Sequence, residues 1–282
     1  GPDRVSRMLL LTDGQTFGDE KACRKLGKQA GDRGIVVNAL GLGDDWNEDL
    51  LDAIAEGSGG VADFIDSPDR IESVFEQAVQ SMQDTVVQNA QMVLRLASGV
   101  TPRQVWQVLP MISNLGYRPL SDRDVQVTLG ELEKGQPRSL LVEMLIGARP
   151  AGRYRIALAE ISYDVPGLHL VGQRVKADIL LDFTADASLA KQYDPEVMNI
   201  VEKVTAFKLQ TRALEEAKMG NVAGASQKLR AAATRLLEMG ETELAESALE
   251  EADNLEKSGQ MSSHGTKKLR YETRKLTQRL NP

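Results

Sequence analysis

The chain has 282 residues, 41% hydrophobic and 27% charged, enough for two or three soluble domains. A net charge of −7 argues against a general nucleic-acid binder, which would show a basic face. One cysteine, Cys23, and two distant histidines, His169 and His264, exclude a disulfide framework and a cysteine- or histidine-rich zinc centre. No apolar run approaches the roughly twenty residues needed to span a bilayer. Aromatics make up only 4%, so the cores rest on Leu, Val, Ile and Ala. Gly1-Pro2 reads as a protease scar or as native sequence at a cut inside a domain, and the cytoplasm is the favoured compartment.

Met8-Leu9-Leu10-Leu11-Thr12-Asp13-Gly14 reads as a strand of a parallel sheet, apolar without alternation because helices cover both faces. The carboxylate of Asp13 then emerges at the strand's carboxyl end, where open α/β sheets bind ligands. It is a candidate cation ligand; the alternative is a turn cap bonding backbone N–H groups near Gln15 and Thr16. Ala22, Cys23, Leu26 and Ala30 have helical spacing, and Gly31 and Gly34 are expected to end that helix. Residues 34–41 make a second strand. Asn47 caps a helix carrying Leu50, Leu51, Ile54 and Ala55, and residues 61–65 make a third strand. Ser67-Pro68 opens a helix with Ile71, Val74, Phe75, Val79 and Met82 on one face. Strand and helix alternate, which implies a doubly wound parallel sheet. Asp44-Asp45 could pass for a metal pair, but acids beside a helix start more often serve its dipole. Gly41-x-Gly43 is too short for a dinucleotide fingerprint.

Three stretches together resemble the von Willebrand factor type A family. They are Leu10-Leu11-Thr12-Asp13-Gly14, the run Val37 to Asp44, and Ile54-Ala55-Glu56-Gly57-Ser58-Gly59-Gly60. They correspond to that fold's fourth strand, fifth strand and helix-to-sixth-strand turn. The resemblance implies a metal-ion-dependent adhesion site built from an Asp-x-Ser-x-Ser loop, a Thr, and the Asp of a Thr-Asp-Gly turn. Asp13 matches the last of these. The loop and the Thr have no counterpart here, so Mg²⁺ or another divalent cation is expected in the intact protein and not in this chain alone. The strand Met8–Thr12 would then lack a central neighbour. It should pair with missing strands or with another chain, since an apolar open edge favours association.

After Gln88 the pattern changes to short strands at 91–96, 105–108, 125–129 and 140–145, then longer ones at 153–161 and 175–183. Gly- and Pro-containing turns separate them, which indicates an antiparallel sandwich. Trp106, Tyr154 and Tyr163 read as packing residues rather than a ligand cage. From about residue 187 the chain is helical. Asp194-Pro195 opens a helix, and Gly220-Asn221 and Gly240 punctuate two more. Ala217-x-x-Gly220-Asn221-x-x-x-Ala225 is similar to a tetratricopeptide hairpin, but about one repeat is present where roughly three are needed. Glu238 to Glu256 makes an acidic face, and Lys267 to Arg279 a basic final helix. These are expected to be solvated or paired with each other in the bundle.

The expectation is α/β plus all-β plus all-α: the C-terminal half of a type A domain (1–88), a β-sandwich (89–186) and a helical module (187–282). The function expected is a non-enzymatic protein-interaction scaffold of bacterial type. The alternatives are an assembly module whose helices make the contacts, or a hydrolase using Asp13 with Asp44 or Asp45. The last lacks any nucleophile-base pair or phosphate loop.

Overall fold

A computed structural model describes residues 6–278, with the side chain of Met82 outside the description. Gly1-Pro2 and Arg279 therefore lie outside the described residues. No helix among them is long and apolar enough to cross a membrane. Of the described residues, 6–84 with 205–274 form one compact unit, and 85–204 with 275–278 another. In the first, Tyr271 of the helical segment shares a core with the N-terminal sheet.

In the first of these units β1 (Ser6–Thr12), α1 (Glu20–Asp32), β2 (Ile35–Leu42), α2 (Glu48–Ser58) and β3 (Ala62–Ile65) alternate. The three strands form a parallel sheet in the order β1-β2-β3. Val37, Leu50 and Ile54 make one small core with Leu10, Cys23 and Ala30 packed on it. Asn47 caps α2 as expected, its Oδ1 accepting the Leu50 N–H at 3.0 Å.

Two features of α1 depart from the periodic reading. Gly31 lies inside the helix, and Leu26 is exposed. The packed face joins Gly27 and Gly31 to Cys23 and Ala30, and an added Cβ at the two glycines would stand 2.8 Å from the Ile54 Cα and 2.5 Å from the Gly57 carbonyl oxygen. Bare backbone lets α1 and α2 approach closely, and the apolar spacing carried no trace of it. Gly34, at φ +71°, ends the segment.

The strand β1 is not buried as its leucines suggest. It pairs with β2 alone among the described residues, and Met8 is 53% exposed. Phe17 after it is 87% exposed. The helix α3 (Ile71–Asp84) was expected to bury an apolar face, yet Phe75 and Val79 are exposed. Both stretches are patterned for a larger core than these residues supply.

The other unit is the sandwich. The strand β4 (Thr85–Leu96) starts directly after α3, four residues earlier than the composition change after Gln88 suggests, because Val86 and Val87 favour extended backbone. It is followed by β5 (Val100–Leu109), β6 (Ser113–Asn114), β7 (Arg118–Pro119), β8 (Asp124–Glu133), β9 (Ser139–Ile146), β10 (Gly152–Val165) and β11 (Leu170–Phe183). One sheet has the order β11-β10-β4-β8-β7 and the other β6-β5-β9. Met92, Leu94, Val105, Val125, Val127 and Ile156 fill the space between them. Trp106 is buried, Tyr163 packs on this core, and Tyr154 meets Phe183 edge-on at 5.5 Å. All three aromatics are packing residues.

The helices are α4 (Pro195–Lys218), α5 (Val222–Glu238), α6 (Thr242–Ser258) and α7 (Ser263–Glu272). Asp194 caps α4, accepting the Glu196 and Val197 N–H groups at 2.8 and 3.2 Å. Leu229, Ala232, Ala233 and Leu236 of α5 are buried with Ala245, Ala248, Ala252 and Leu255 of α6. Buried Glu251 receives the Ser262 N–H at 2.7 Å and its hydroxyl at 2.6 Å, which fixes the start of α7. A carboxylate at that helix N-terminus also complements its dipole.

Candidate functional site at the carboxyl edge of the parallel sheet

Asp13 follows β1 and Asp44 follows β2, so both leave the carboxyl edge of neighbouring parallel strands. Three leucines and a threonine carry the chain up to that edge, and Gly14 turns it. The turn is closed by Thr12, whose Oγ1 donates to the Gly14 carbonyl at 3.2 Å and faces the Gly14 N–H at 3.4 Å. Asp13 does not serve as the turn's cap. Among the described residues its exposed carboxylate has no hydrogen-bond partner.

Asp44 has a different environment. The acids in the first turn of α2 are Glu48 and Asp49, and Asp44 instead faces the first turn of α7. Its carbonyl accepts from the Ser263 hydroxyl at 2.9 Å and from Lys267 Nζ at 2.8 Å. His264 Nδ1 lies 3.3 Å from its Oδ1. Nothing joins Asp13 and Asp44 into a pair, and no group of three His, Cys, Asp or Glu residues suited to a cation occurs among the described residues.

The loop carrying Asp44 is held from below by Trp46. This buried indole donates to the Gly43 carbonyl at 2.6 Å, lies 5.7 Å from the Tyr271 ring, and has Lys267 Nζ 5.1 Å from its centroid. A Cβ on Gly41 would overlap it at 2.0 Å, so glycine is required there by contact. Trp46 and Tyr271 belong to one core with Ala39, Leu51, Ala55, Ala62 and Phe64.

Arg270 and Arg274 of the basic C-terminal stretch pair with α2. Arg270 Nη2 and Arg274 Nη2 reach Asp52 at 2.7 and 3.0 Å, and Arg270 Nη1 reaches Asp49 at 2.9 Å. Lys218 also binds Asp49. Burial, and then the Asp52 carboxylate, push the Tyr271 phenol above its ordinary range, so it stays protonated and donates to Asp52 Oδ1 at 3.4 Å. On α6 the acids Asp253 and Glu256 are engaged by Arg230 of α5. Sequence reading missed the Arg270 pairs with Asp52 and Asp49 because these residues lie 218 and 221 positions apart. The signal was only the coincidence of an acidic first turn on α2 and a basic stripe on α7.

A parallel β1-β2-β3 half-sheet, a sandwich and a helical segment together place the chain in the class of von Willebrand factor type A folds. It shares its fold, at TM-score 0.79 and 16% identity, with a von Willebrand factor type A protein from Catenulispora acidiphila, over 98% of this chain and 66% of that one. Residues 195–279 match the family model described as Sll0103-like, C-terminal alpha-helical domain. The chain is 36% identical over 168 residues to uncharacterized protein sll0103 of Synechocystis sp., a match covering 58% of this chain. It spans 40% of that relative's length.

Proposed function

We propose that this chain is the C-terminal part of a non-enzymatic von Willebrand factor type A binding protein. In the intact protein Asp13 supplies one oxygen ligand to Mg²⁺, and the metal meets an acidic side chain of a protein partner. The observation that carries the reading is the open edge of β1 beside an unengaged carboxylate at the ligand-binding end of the sheet. A carboxylate is the hard donor Mg²⁺ favours, yet one alone fills a single position of an octahedral shell. The described residues therefore do not make a Mg²⁺ site by themselves. The remaining ligands would come from strands paired along β1, and this chain's part is to hold Asp13 at the strand end through the Thr12–Gly14 turn.

Hydrogen exchange tests the completion of the sheet. The amides of Met8–Thr12 on the open side should exchange fast in this chain and slowly in a longer protein that contains the preceding strands. Equal exchange in both would contradict the reading. A second reading, in which the helices make the contacts, is favoured by the exposed acids Glu243, Glu246 and Glu250 on α6. Reversing all three to lysine would then abolish partner binding, whereas the first reading expects binding to survive.

A further inference from the structure

The outer strand of the sandwich is a second open edge, unrelated to Asp13. Among the described residues β11 pairs only with β10, from Leu170 to Phe183 with Val171 and Gly172 outside the ladder. Edge strands of that length are normally blunted by proline, by a bulge that turns the edge away, by a covering helix, or by charged side chains, and β11 carries only the last of these, in Arg174, Lys176, Asp178 and Asp182. No proline interrupts 170–183, and the register shifts against β10 leave residues 173–179 in unbroken pairing. The strand is also apolar for an edge. Val171 is 79% exposed and Val175 51%, with Leu180 and Leu181 exposed beyond them. Its odd-numbered residues share the face of Ile179 and Phe183, which pack on the sandwich core. Its even-numbered residues carry two positive charges and then two negative ones: Arg174, Lys176, Asp178 and Asp182.

We propose that a second copy of this chain pairs antiparallel along β11, with Ala177 opposite Ala177 of the second copy. Of the registers centred on residues 175 to 178, the charge pattern favours one. A two-fold pairing of identical strands must be centred on one residue, and opposed residues then share a face. Centring on Val175 opposes Arg174 to Lys176. Centring on Lys176 opposes two lysines, and on Asp178 two aspartates, each destabilising. Centring on Ala177 sets Lys176 opposite Asp178 twice and Val175 opposite Ile179 twice, with Gln173 opposite Leu181. It opposes no like charges and engages 173–181. Within each chain Lys176 already meets Glu160 at 3.3 Å and Asp178 meets Arg155 at 3.2 Å, so the new pairs extend an existing ladder of opposite charges. The result is one sheet continuous through both copies.

Sedimentation equilibrium of the chain at tens of micromolar tests this. The expected mass is that of two chains, against 30.8 kDa for one. Asp178→Lys alone, and Lys176→Asp alone, each place like charges across the two-fold and should give one-chain masses. An equimolar mixture of the two variants restores opposite charges and should return the two-chain mass. Ala177→Cys in a Cys23→Ser background should cross-link under mild oxidation, and Gln173→Cys in the same background should not. A one-chain mass for the unaltered protein, or a two-chain mass kept by both single variants, overturns the proposal. So does cross-linking equal at 173 and 177, which needs no charge variant to fold.

Discussion

Arg270 Nη2 stands 2.7 Å from Asp52 Oδ2, joining two helices that lie 218 positions apart in the chain. The Asp52 side chain is only 7% exposed, and Arg274 and Tyr271 occupy its remaining acceptor sites. Such an ion pair repays its desolvation only while every partner is present. Removing one partner leaves a buried charge uncompensated. Asp52→Ala and Arg270→Ala should each cost about 3 kcal/mol in urea unfolding. The double substitution should cost clearly less than the sum. Strict additivity would show that the pair is not coupled.

The neighbouring Asp49 gives this clamp a pH dependence. Burial pushes its carboxyl up, but hydrogen bonds from Lys218 and Arg270 outweigh that and hold it below the ordinary 3.8. A carboxyl more acidic in the folded than in the unfolded chain stabilises fully above about 3.8 and loses that contribution as pH falls through the lower folded value. Its side chain is nearly half exposed, so water screens the effect and keeps it small. Urea midpoints taken from pH 6 down to pH 2 should fall less steeply below 3.8 in Asp49→Asn than in the unaltered protein. Parallel curves would remove Asp49 from the clamp.

Close backbone contact makes α1 intolerant of a single methyl group. At Gly31 a Cβ would meet the Gly57 carbonyl oxygen at 2.5 Å, so Gly31→Ala must push α1 away from α2. Overpacking of this kind costs about 1–3 kcal/mol. Gly14 has nothing within 4 Å of its Cβ position, and Gly14→Ala should cost much less. Thermal unfolding of the two variants decides it; equal melting temperatures would contradict the packing argument.

The apolar edge around β1 should be visible in solution. Met8, Leu11, Phe17, Phe75 and Val79 are all exposed. Association through this edge would add to light scattering at high concentration, and Leu11→Lys should lower it without changing the β11-dependent two-chain mass. Scattering unaffected by Leu11→Lys would place the sticky surface elsewhere.

Much of the fold could be read from local pattern. The leucine run ending in Thr12-Asp13-Gly14, the Asn47 and Asp194 caps, and the alternating strands around Val125 and Val127 each determine their own element. What failed was every feature set by distant partners. Gly27 and Gly31 pack because α2 lies against them, and no hydrophobic spacing encodes that. Arg270 and Arg274 looked like a solvated basic face because Asp49 and Asp52 sit at the other end of the sequence. Leu10 and Leu11 signalled a strand buried on both sides, whereas Leu11 lies on an open edge. Of the proposed site, Asp13 is singled out by its motif, and its freedom from turn capping only by Thr12's hydrogen bonds. Trp46, which holds the adjacent loop, carried no sequence signal beyond being one of two tryptophans.

The role of Asp13 is tested most directly by calorimetric titration of Mg²⁺. Three proteins are compared: this chain, a longer protein that includes the strands preceding it, and the longer protein carrying Asp13→Ala. The account predicts no saturable binding by the first, saturable binding by the second, and at least tenfold weaker binding by the third. Binding of equal strength by the second and third would contradict it.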